Sequence, residues 1–199
     1  MPVLEDERTH HAITLVSTMF QCGFHIIFFR WINLVNFEIN KTMKYIYLLL
    51  MSVLLLSCGS AHYCYIVRHA DKLDKTPYSV LSPAGHTRAG VLRDKLMDKK
   101  IDLIYATTFQ RTQETAQPLA QALNKTLLIY RNNAEDSMAN VVKANRSKNM
   151  LLVGHSGNIP SIIEKITGKK ISPIGEDQYD NLYIIKFNRQ RITLIETKY

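Results

Sequence analysis

Four side chains able to bind or attack an anion follow predicted strands in this sequence: Arg68, His69, Arg111 and His155. The apolar run 63–67 leads into the first two, and the continuous apolar run 150–153 leads into the last. The strand predicted at 102–106 precedes Arg111. Because ligands bind at the carboxyl ends of strands in open α/β sheets, we expect the four side chains to share one pocket.

Two guanidinium groups beside two imidazoles suit phosphoryl transfer. Arg68 and Arg111 can hold phosphate oxygens in bidentate geometry and neutralise their charge, which lets an imidazole approach phosphorus. We expect His69 to attack as the nucleophile and form a phosphohistidine that water hydrolyses. His155 would donate hydrogen bonds to the oxygens on which charge builds. A metal site formed by His69, His155 and Asp71 is the rival hypothesis, but two adjacent guanidinium groups would repel a divalent cation.

Strand and helix patterns alternate along the chain after residue 62. Ser82 and Pro83 mark the start of a helix that should end near Lys99. The next helix contains Pro118, which predicts a kink or break near Ala116. A strand at 127–130, a weak helix at 137–146, a helix from 159 that ends at Gly168, and a hairpin of strands at 181–187 and 191–197 complete the prediction. This order predicts a three-layer α/β/α sandwich with a mainly parallel sheet and right-handed crossovers.

The region before residue 58 is predicted to lie outside the working domain. Residues 1–42 keep no sustained period, and we expect synthesis to start at Met43. Residues 43–57 then resemble an export signal, since Lys44 precedes twelve residues of which only Ser52 is polar. Residues 55–58 resemble the lipobox of bacterial lipoproteins, so Cys58 would be lipidated, and residues 58–199 would form the domain. The predicted location is the cell envelope, or the cytoplasm if the signal is not used.

The formal net charge of +8 belongs entirely to the chain after Cys58. Its lysines are scattered in pairs, without a basic block or interleaved aromatic residues, so the charge favours small anionic ligands over nucleic acid.

Four motifs in this order resemble those of the histidine phosphatase superfamily, also called phosphoglycerate mutase-like. They are Arg68-His69-Ala70, Leu81-Ser82-Pro83-Ala84-Gly85, Arg111 with Thr115-Ala116, and Val153-Gly154-His155-Ser156. Thr107 stands where the family usually has Ser. The resemblance covers about residues 63–168 and implies the phosphohistidine mechanism without a metal or other cofactor. It also implies that Thr107 and Ser156 join Arg68, Arg111 and His155 in binding the substrate.

The proton donor to the leaving group is the least defined part of the predicted site. The resemblance places an acid in the loop after the third strand, where Glu135 is the first choice and Asp136 the alternative. A solvated acidic pair at a helix start is an equally good interpretation of these two residues.

The chain is short for a mutase, which favours a phosphatase with an open site that admits water. The expected partner is a small phosphorylated substrate or a phosphoprotein. A phosphoglycerate mutase-like phosphotransferase and a non-catalytic, membrane-tethered phosphate-binding module remain the alternatives.

Overall fold

The computed structural model describes residues 45, 46, 49, 61–189 and 191–199. Contacts divide the chain into Met1–Cys58 and Gly59–Tyr199, and every strand described below lies in the second unit. In the first unit, Tyr45, Ile46 and Leu49 are helical. The predicted extension 1–42, the start at Met43 and the lipidated Cys58 lie outside the described residues. Within the described part of the chain, no helix combines the length and hydropathy needed to cross a membrane.

The described part of the chain contains six strands: β1 (His62–Arg68), β2 (Leu103–Thr107), β3 (Leu127–Tyr130), β4 (Met150–Gly154), β5 (Asn181–Phe187) and β6 (Ile192–Lys198). They form one sheet in the order β3-β2-β4-β1-β5-β6. The first four strands pair with one another in parallel, whereas β5 pairs with β1 and β6 pairs with β5 in antiparallel fashion. β1 and β4 lie at the centre and are almost fully buried, which explains their continuous apolar sequences.

Four helices cover the two faces of this sheet. They are α1 (Pro83–Leu96), α2 (Gln110–Ala122), α3 (Glu135–Ala144) and α4 (Ile159–Thr167). The pair α1 and α2 buries Leu92, Leu96 and Leu119 against one face. The pair α3 and α4 buries Met138, Ile162 and other apolar side chains against the opposite face. The predicted three-layer α/β/α sandwich with a mainly parallel sheet is therefore confirmed.

Local sequence signals fix the start of α1 and the end of α4. Ser82 accepts a hydrogen bond from the backbone N–H of Gly85 at 3.0 Å, and Pro83 occupies the first helical position, as predicted. Gly168 ends α4 with a left-handed φ of 72°, which favours glycine. The break expected near Ala116 is wrong, because α2 continues through Pro118. Burial of Ala116, Leu119 and Ala120 against the sheet offsets the missing backbone donor.

Candidate active site

The pairing of β1 with β4 brings the two histidines together. Arg68 is in register with Gly154, and the backbone N–H of His69 donates to the Gly154 carbonyl at 3.0 Å. Since both strands run in the same direction, His69 and His155 leave the sheet side by side. Their ring centroids are 5.3 Å apart.

A cavity of about 630 Å³ opens at this edge of the sheet, a size suited to a small ligand. All four predicted residues line it, together with Ser156, Phe109 and Tyr179. The charged side chains on its wall include Lys72 and Lys75 but also Asp71, Asp74, Glu176 and Asp177. The cavity is therefore cationic at the two arginines and mixed in charge elsewhere.

The tautomer of His69 follows from its neighbour. The Nδ1 atom lies 2.8 Å from the Ala70 carbonyl oxygen, which can only accept, so Nδ1 carries the proton. Nε2 has no hydrogen-bond partner among the described residues and keeps its lone pair. Burial, with smaller contributions from Arg68, His155 and Arg111, lowers the pKa of His69 to about 3. His69 is therefore a neutral imidazole with a free Nε2 over the whole physiological pH range.

Arg68 is only 4% exposed and is held by the segment that precedes β5. Its Nη1 donates to the carbonyls of Gly175 at 2.6 Å and Glu176 at 2.8 Å, and its Cζ lies 4.5 Å from the ring centroid of Tyr179. Burial lowers the pKa of Arg68, while Tyr179 and the carboxylates of Glu176 and Asp177 act in the opposite direction. Its Nε is buried and has no hydrogen-bond partner in the part of the chain that the structure describes.

Arg111 reaches the cavity from the first turn of α2. Its Nη1 donates to the Pro77 carbonyl at 2.5 Å, and its Cζ lies 4.5 Å from the ring centroid of Phe109. Burial and the nearby Arg68 lower the pKa of Arg111. Its Nε is also buried without a partner, so both guanidinium groups carry a donor that no described residue uses. An oxyanion bound between them would satisfy both donors.

The hydrogen bonds at Nδ1 and at Nε2 of His155 each indicate which tautomer the ring adopts. Arg111 Nη2, which can only donate, lies 3.4 Å from His155 Nδ1. On the other side, Thr112 uses its single hydroxyl proton on the Phe109 carbonyl at 2.7 Å, so it accepts from Thr107 at 2.8 Å. Thr107 must then accept from His155 Nε2 at 2.9 Å. Both sets of contacts place the proton on Nε2 and leave Nδ1 as the acceptor.

Thr107 is fully buried. The structure thus places it behind His155, where it holds the imidazole, and not on the wall of the cavity. Burial, followed by Arg111 and Arg68, lowers the pKa of His155 to about 4. His155 is therefore also neutral while the cavity contains no anion.

The backbone of His155 is held by Asn158. The Asn158 Oδ1 accepts from the His155 backbone N–H at 2.8 Å, and its Nδ2 donates to the Asn132 carbonyl at 3.1 Å. A Cβ on Gly154 would lie 2.7 Å from that Oδ1, so any other residue there would force the Asn158 side chain to shift. Ser156, predicted to bind the substrate, lines the cavity and is partly exposed.

The two predicted proton donors do not line the cavity. α3 begins at Glu135, two residues earlier than predicted, so both acids lie in its first turn. Asp136 is exposed and forms an ion pair with Lys165 of α4 at 2.6 Å. The carboxylates that do line the cavity lie in other loops, and Asp71 among them pairs with Arg88 at 2.6 Å. The geometry thus supports neither Glu135 nor Asp136 as the acid.

Tyr179 and Phe109 are the site residues that sequence reasoning missed. Each presents its ring to a site guanidinium, and Tyr179 lies 5.9 Å from the His69 ring, centroid to centroid. Tyr179 belongs to an irregular segment without a periodic pattern. Phe109 directly precedes α2 beside Arg111, and that adjacency was the one available signal. Within the described ranges, no group of three His, Cys, Asp or Glu side chains is arranged to hold a metal ion.

Comparison with known proteins gives a family match over part of the chain. Residues 64–134 match the model of the histidine phosphatase superfamily, branch 1. This range includes Arg68, His69 and Arg111 but ends before His155. No curated protein matches the chain.

Several solved structures share the fold. A candidate phosphohistidine phosphatase, SixA from Agrobacterium tumefaciens, has 21% identity and a TM-score of 0.52, over 69% of this chain and 97% of that one. The protein histidine phosphatase SixA complexed with tungstate has 13% identity and a TM-score of 0.55, over 68% and 96%. The phosphoserine phosphatase of Entamoeba histolytica, bound to 3-phosphoglyceric acid, has 14% identity and a TM-score of 0.54, over 69% and 97%. The chain thus resembles the histidine phosphatase superfamily over residues 64–134, and these solved structures share its fold.

Proposed function

We propose that this protein is a phosphatase that transfers the phosphoryl group of its substrate to His69 and then to water. One observation carries the proposal. His69 donates Nδ1–H to the Ala70 carbonyl, which leaves a neutral Nε2 with a free lone pair in a cavity that both arginines line. A buried nucleophile beside two fixed cations suits attack on a phosphorus atom whose charge those cations neutralise.

The first step forms a bond between His69 Nε2 and phosphorus and breaks the bond between phosphorus and the leaving group. Nε2 gains the phosphoryl group while Nδ1 keeps its proton, and the Ala70 carbonyl stabilises the positive charge on the ring. Arg68 and Arg111 use their unpaired Nε donors on the phosphoryl oxygens. In the second step water attacks phosphorus, and His69 leaves as a neutral imidazole together with orthophosphate.

His155 acts as an electrostatic partner of the phosphoryl group. Binding of a phosphate dianion beside Nδ1 raises the pKa of His155, because the negative charge favours the imidazolium form. Nδ1–H then donates to a phosphoryl oxygen, while Nε2–H keeps its bond to Thr107. Arg111 is released from its 3.4 Å contact with Nδ1 and turns to the same anion. Thr107 thus keeps His155 aligned in both states.

The reaction needs no metal in this proposal, since two guanidinium groups supply the positive charge. The test is hydrolysis of a chromogenic aryl phosphate in the presence of EDTA, with His69→Ala as the control. We expect activity that EDTA leaves unchanged and that His69→Ala abolishes, together with an acid-labile phosphoenzyme in the wild type alone. Equal hydrolysis by both proteins would refute the role of His69, and loss of activity in EDTA would refute metal independence.

A phosphohistidine on a protein is a second candidate substrate, and the position of Glu135 and Asp136 outside the cavity lining favours it. An alcohol needs a proton as it leaves, whereas a phosphorylated imidazole departs as a neutral ring once its other nitrogen is protonated. Turnover of a phosphohistidine peptide at least tenfold above that of a phosphoserine peptide would support this class. Equal turnover would favour a general phosphomonoesterase.

The two alternatives from the sequence make different predictions. A phosphoglycerate mutase-like phosphotransferase would pass the phosphoryl group to a second hydroxyl compound, so phosphoglycerate would isomerise without release of orthophosphate. A non-catalytic module would bind orthophosphate without forming a phosphoenzyme. We favour the phosphatase because simple anion binding needs only the arginines and does not require the oriented Nε2 of His69.

We also propose that the protein is exported and anchored to a membrane through a lipid on Cys58. The basis is the sequence 43–58, with its positive start, apolar stretch and lipobox-like end. Mass spectrometry of the mature N-terminus is the test. A diacylated Cys58 would support the proposal, and an unmodified chain that begins at Met1 would refute it.

A further inference from the structure

The segment 175–179, which we name the arginine turn, encloses the buried guanidinium of Arg68. The carbonyls of Gly175 and Glu176 accept from Nη1 at 2.6 and 2.8 Å. The Tyr179 ring covers one face of the same guanidinium, with Cζ 4.5 Å from the ring centroid. The last sequence motif of the site ends at Ser156, so this turn lies outside every one of them.

The arginine turn has its own internal support. The Gln178 Oε1 accepts from the backbone N–H of Gly175 at 3.1 Å and from Asn181 Nδ2 at 3.3 Å. The Gln178 backbone N–H donates to the Gly175 carbonyl at 3.2 Å. These bonds tie the turn to the start of β5, which is paired directly with β1. The turn is therefore connected through the sheet to the strand that carries Arg68.

This arrangement decides which donors of Arg68 remain for a ligand. Nη1 is occupied by backbone carbonyls, while none of residues 61–189 and 191–199 accepts a hydrogen bond from Nε, although Arg68 is only 4% exposed. A long arginine side chain has several rotamers, and an unsupported one would lose entropy on binding an anion. A ring on one face and two carbonyls at one end together leave little rotational freedom. The guanidinium is thus oriented before a phosphate arrives.

We propose that Tyr179, acting through its ring, is a positioning residue that aligns Arg68 for phosphate binding. This inference rests on the proposed function for its effect on turnover, but its effect on anion binding stands without it. The attraction between a guanidinium and an aromatic face corresponds to about tenfold in affinity at a partly buried site. The proposal concerns the ring of Tyr179, whose face contacts the guanidinium, and not its hydroxyl.

The test compares Tyr179→Leu with Tyr179→Phe, which keeps the ring and removes only the hydroxyl. Binding of orthophosphate is measured by titration calorimetry, and KM and kcat are measured with an aryl phosphate. We expect Tyr179→Leu to weaken orthophosphate binding and to raise KM by about tenfold, with a much smaller change in kcat. Tyr179→Phe should match the wild type within twofold in both measurements.

Two outcomes would overturn the proposal. In the first, Tyr179→Leu binds orthophosphate as the wild type does. In the second, Tyr179→Phe loses as much affinity as Tyr179→Leu, which would assign the effect to the hydroxyl. If the wild type binds orthophosphate but hydrolyses no phosphate ester, the proposed function fails while the binding comparison still tests Tyr179.

If Tyr179→Leu lowers the melting temperature, weaker orthophosphate binding could result from loss of structure, so a second variant is needed. Gln178→Ala leaves the ring in place and removes only the acceptor that ties the turn together. We expect it to weaken orthophosphate binding by about threefold, because the two exposed hydrogen bonds that Gln178 Oε1 accepts within the turn are lost. Unchanged orthophosphate affinity in a folded Gln178→Ala protein would then overturn the proposal.

Discussion

Replacing Thr107 with Val removes one hydroxyl from behind His155 and changes little else. Valine has nearly the same shape, and the site is fully buried, so the packing is retained. The hydroxyl accepts from His155 Nε2 at 2.9 Å and donates to Thr112 at 2.8 Å. Thr107→Val therefore leaves the imidazole N–H without a partner in a buried position.

The expected magnitude follows from the charge of His155. In the proposed reaction His155 becomes an imidazolium when phosphate binds, and a hydrogen bond to a charged group contributes about 1.5–3 kcal/mol. Loss of that bond should lower kcat/KM by a factor of roughly 10 to 150. In the empty site His155 is neutral, so the free energy of unfolding should fall by only about 1–3 kcal/mol.

The assay is steady-state hydrolysis of an aryl phosphate, with Thr107→Ser as the matched control because serine keeps the hydroxyl. Thr107→Ser should retain kcat/KM within about threefold, since one buried methyl group is lost. Nitrogen-15 NMR of the His155 ring, recorded without phosphate, gives an independent readout. The wild type should show the proton on Nε2, and Thr107→Val should show a mixture of tautomers.

One result would refute the reasoning. If folded Thr107→Val keeps kcat/KM within twofold of the wild type, the contact with Thr107 does not align His155 for the reaction. An unchanged tautomer in the variant would mean that Arg111 alone sets the proton position.

Two further predictions concern stability. Because burial lowers the pKa of His69 to about 3 and of His155 to about 4, the unfolded chain binds protons below about pH 6.5 that the native protein does not. The free energy of unfolding should therefore fall on acidification, by about 2 kcal/mol for each histidine at pH 5 relative to neutrality. Urea titrations in phosphate-free buffer measure the free energy of unfolding at each pH. His69→Gln should remove the part of the acid destabilisation that comes from His69. If the difference in unfolding free energy between wild type and His69→Gln does not change with pH, the lowered pKa of His69 is contradicted. Gly85→Ala should destabilise the protein by about 1–3 kcal/mol, because its Cβ would clash with the backbone carbonyl oxygen of Asp71. The control Gly90→Ala in the same helix meets nothing within 4 Å and should stabilise by about 0.5–1 kcal/mol, so equal effects of the two substitutions would count against the close contact.

Tertiary structure decided several features of the site that local patterns do not encode. Tyr179 and the carbonyls of the arginine turn come from an irregular segment, and only the pairing of β5 with β1 brings them to Arg68. The position of Glu135 depended on where α3 begins, which shifted by two residues from the prediction. The continuity of α2 through Pro118 reflects burial against the sheet, which overrides a local preference. The tautomers of His69 and His155 depend on acceptors that no sequence pattern specifies.

The sequence by itself determined the elements that carry the chemistry. Continuous apolar runs at 63–67 and 150–153 specified buried central strands, because only a strand covered on both faces tolerates so few polar side chains. Arg68 and His69 follow the first run, and His155 follows the second. Because parallel strands end at the same edge of a sheet, the sequence could predict that these three residues lie close together. Tertiary contacts determine which atoms of those side chains are available to a ligand. Hydrogen bonds across the sheet edge join residues far apart in the chain, and their geometry exists only after the layers have packed.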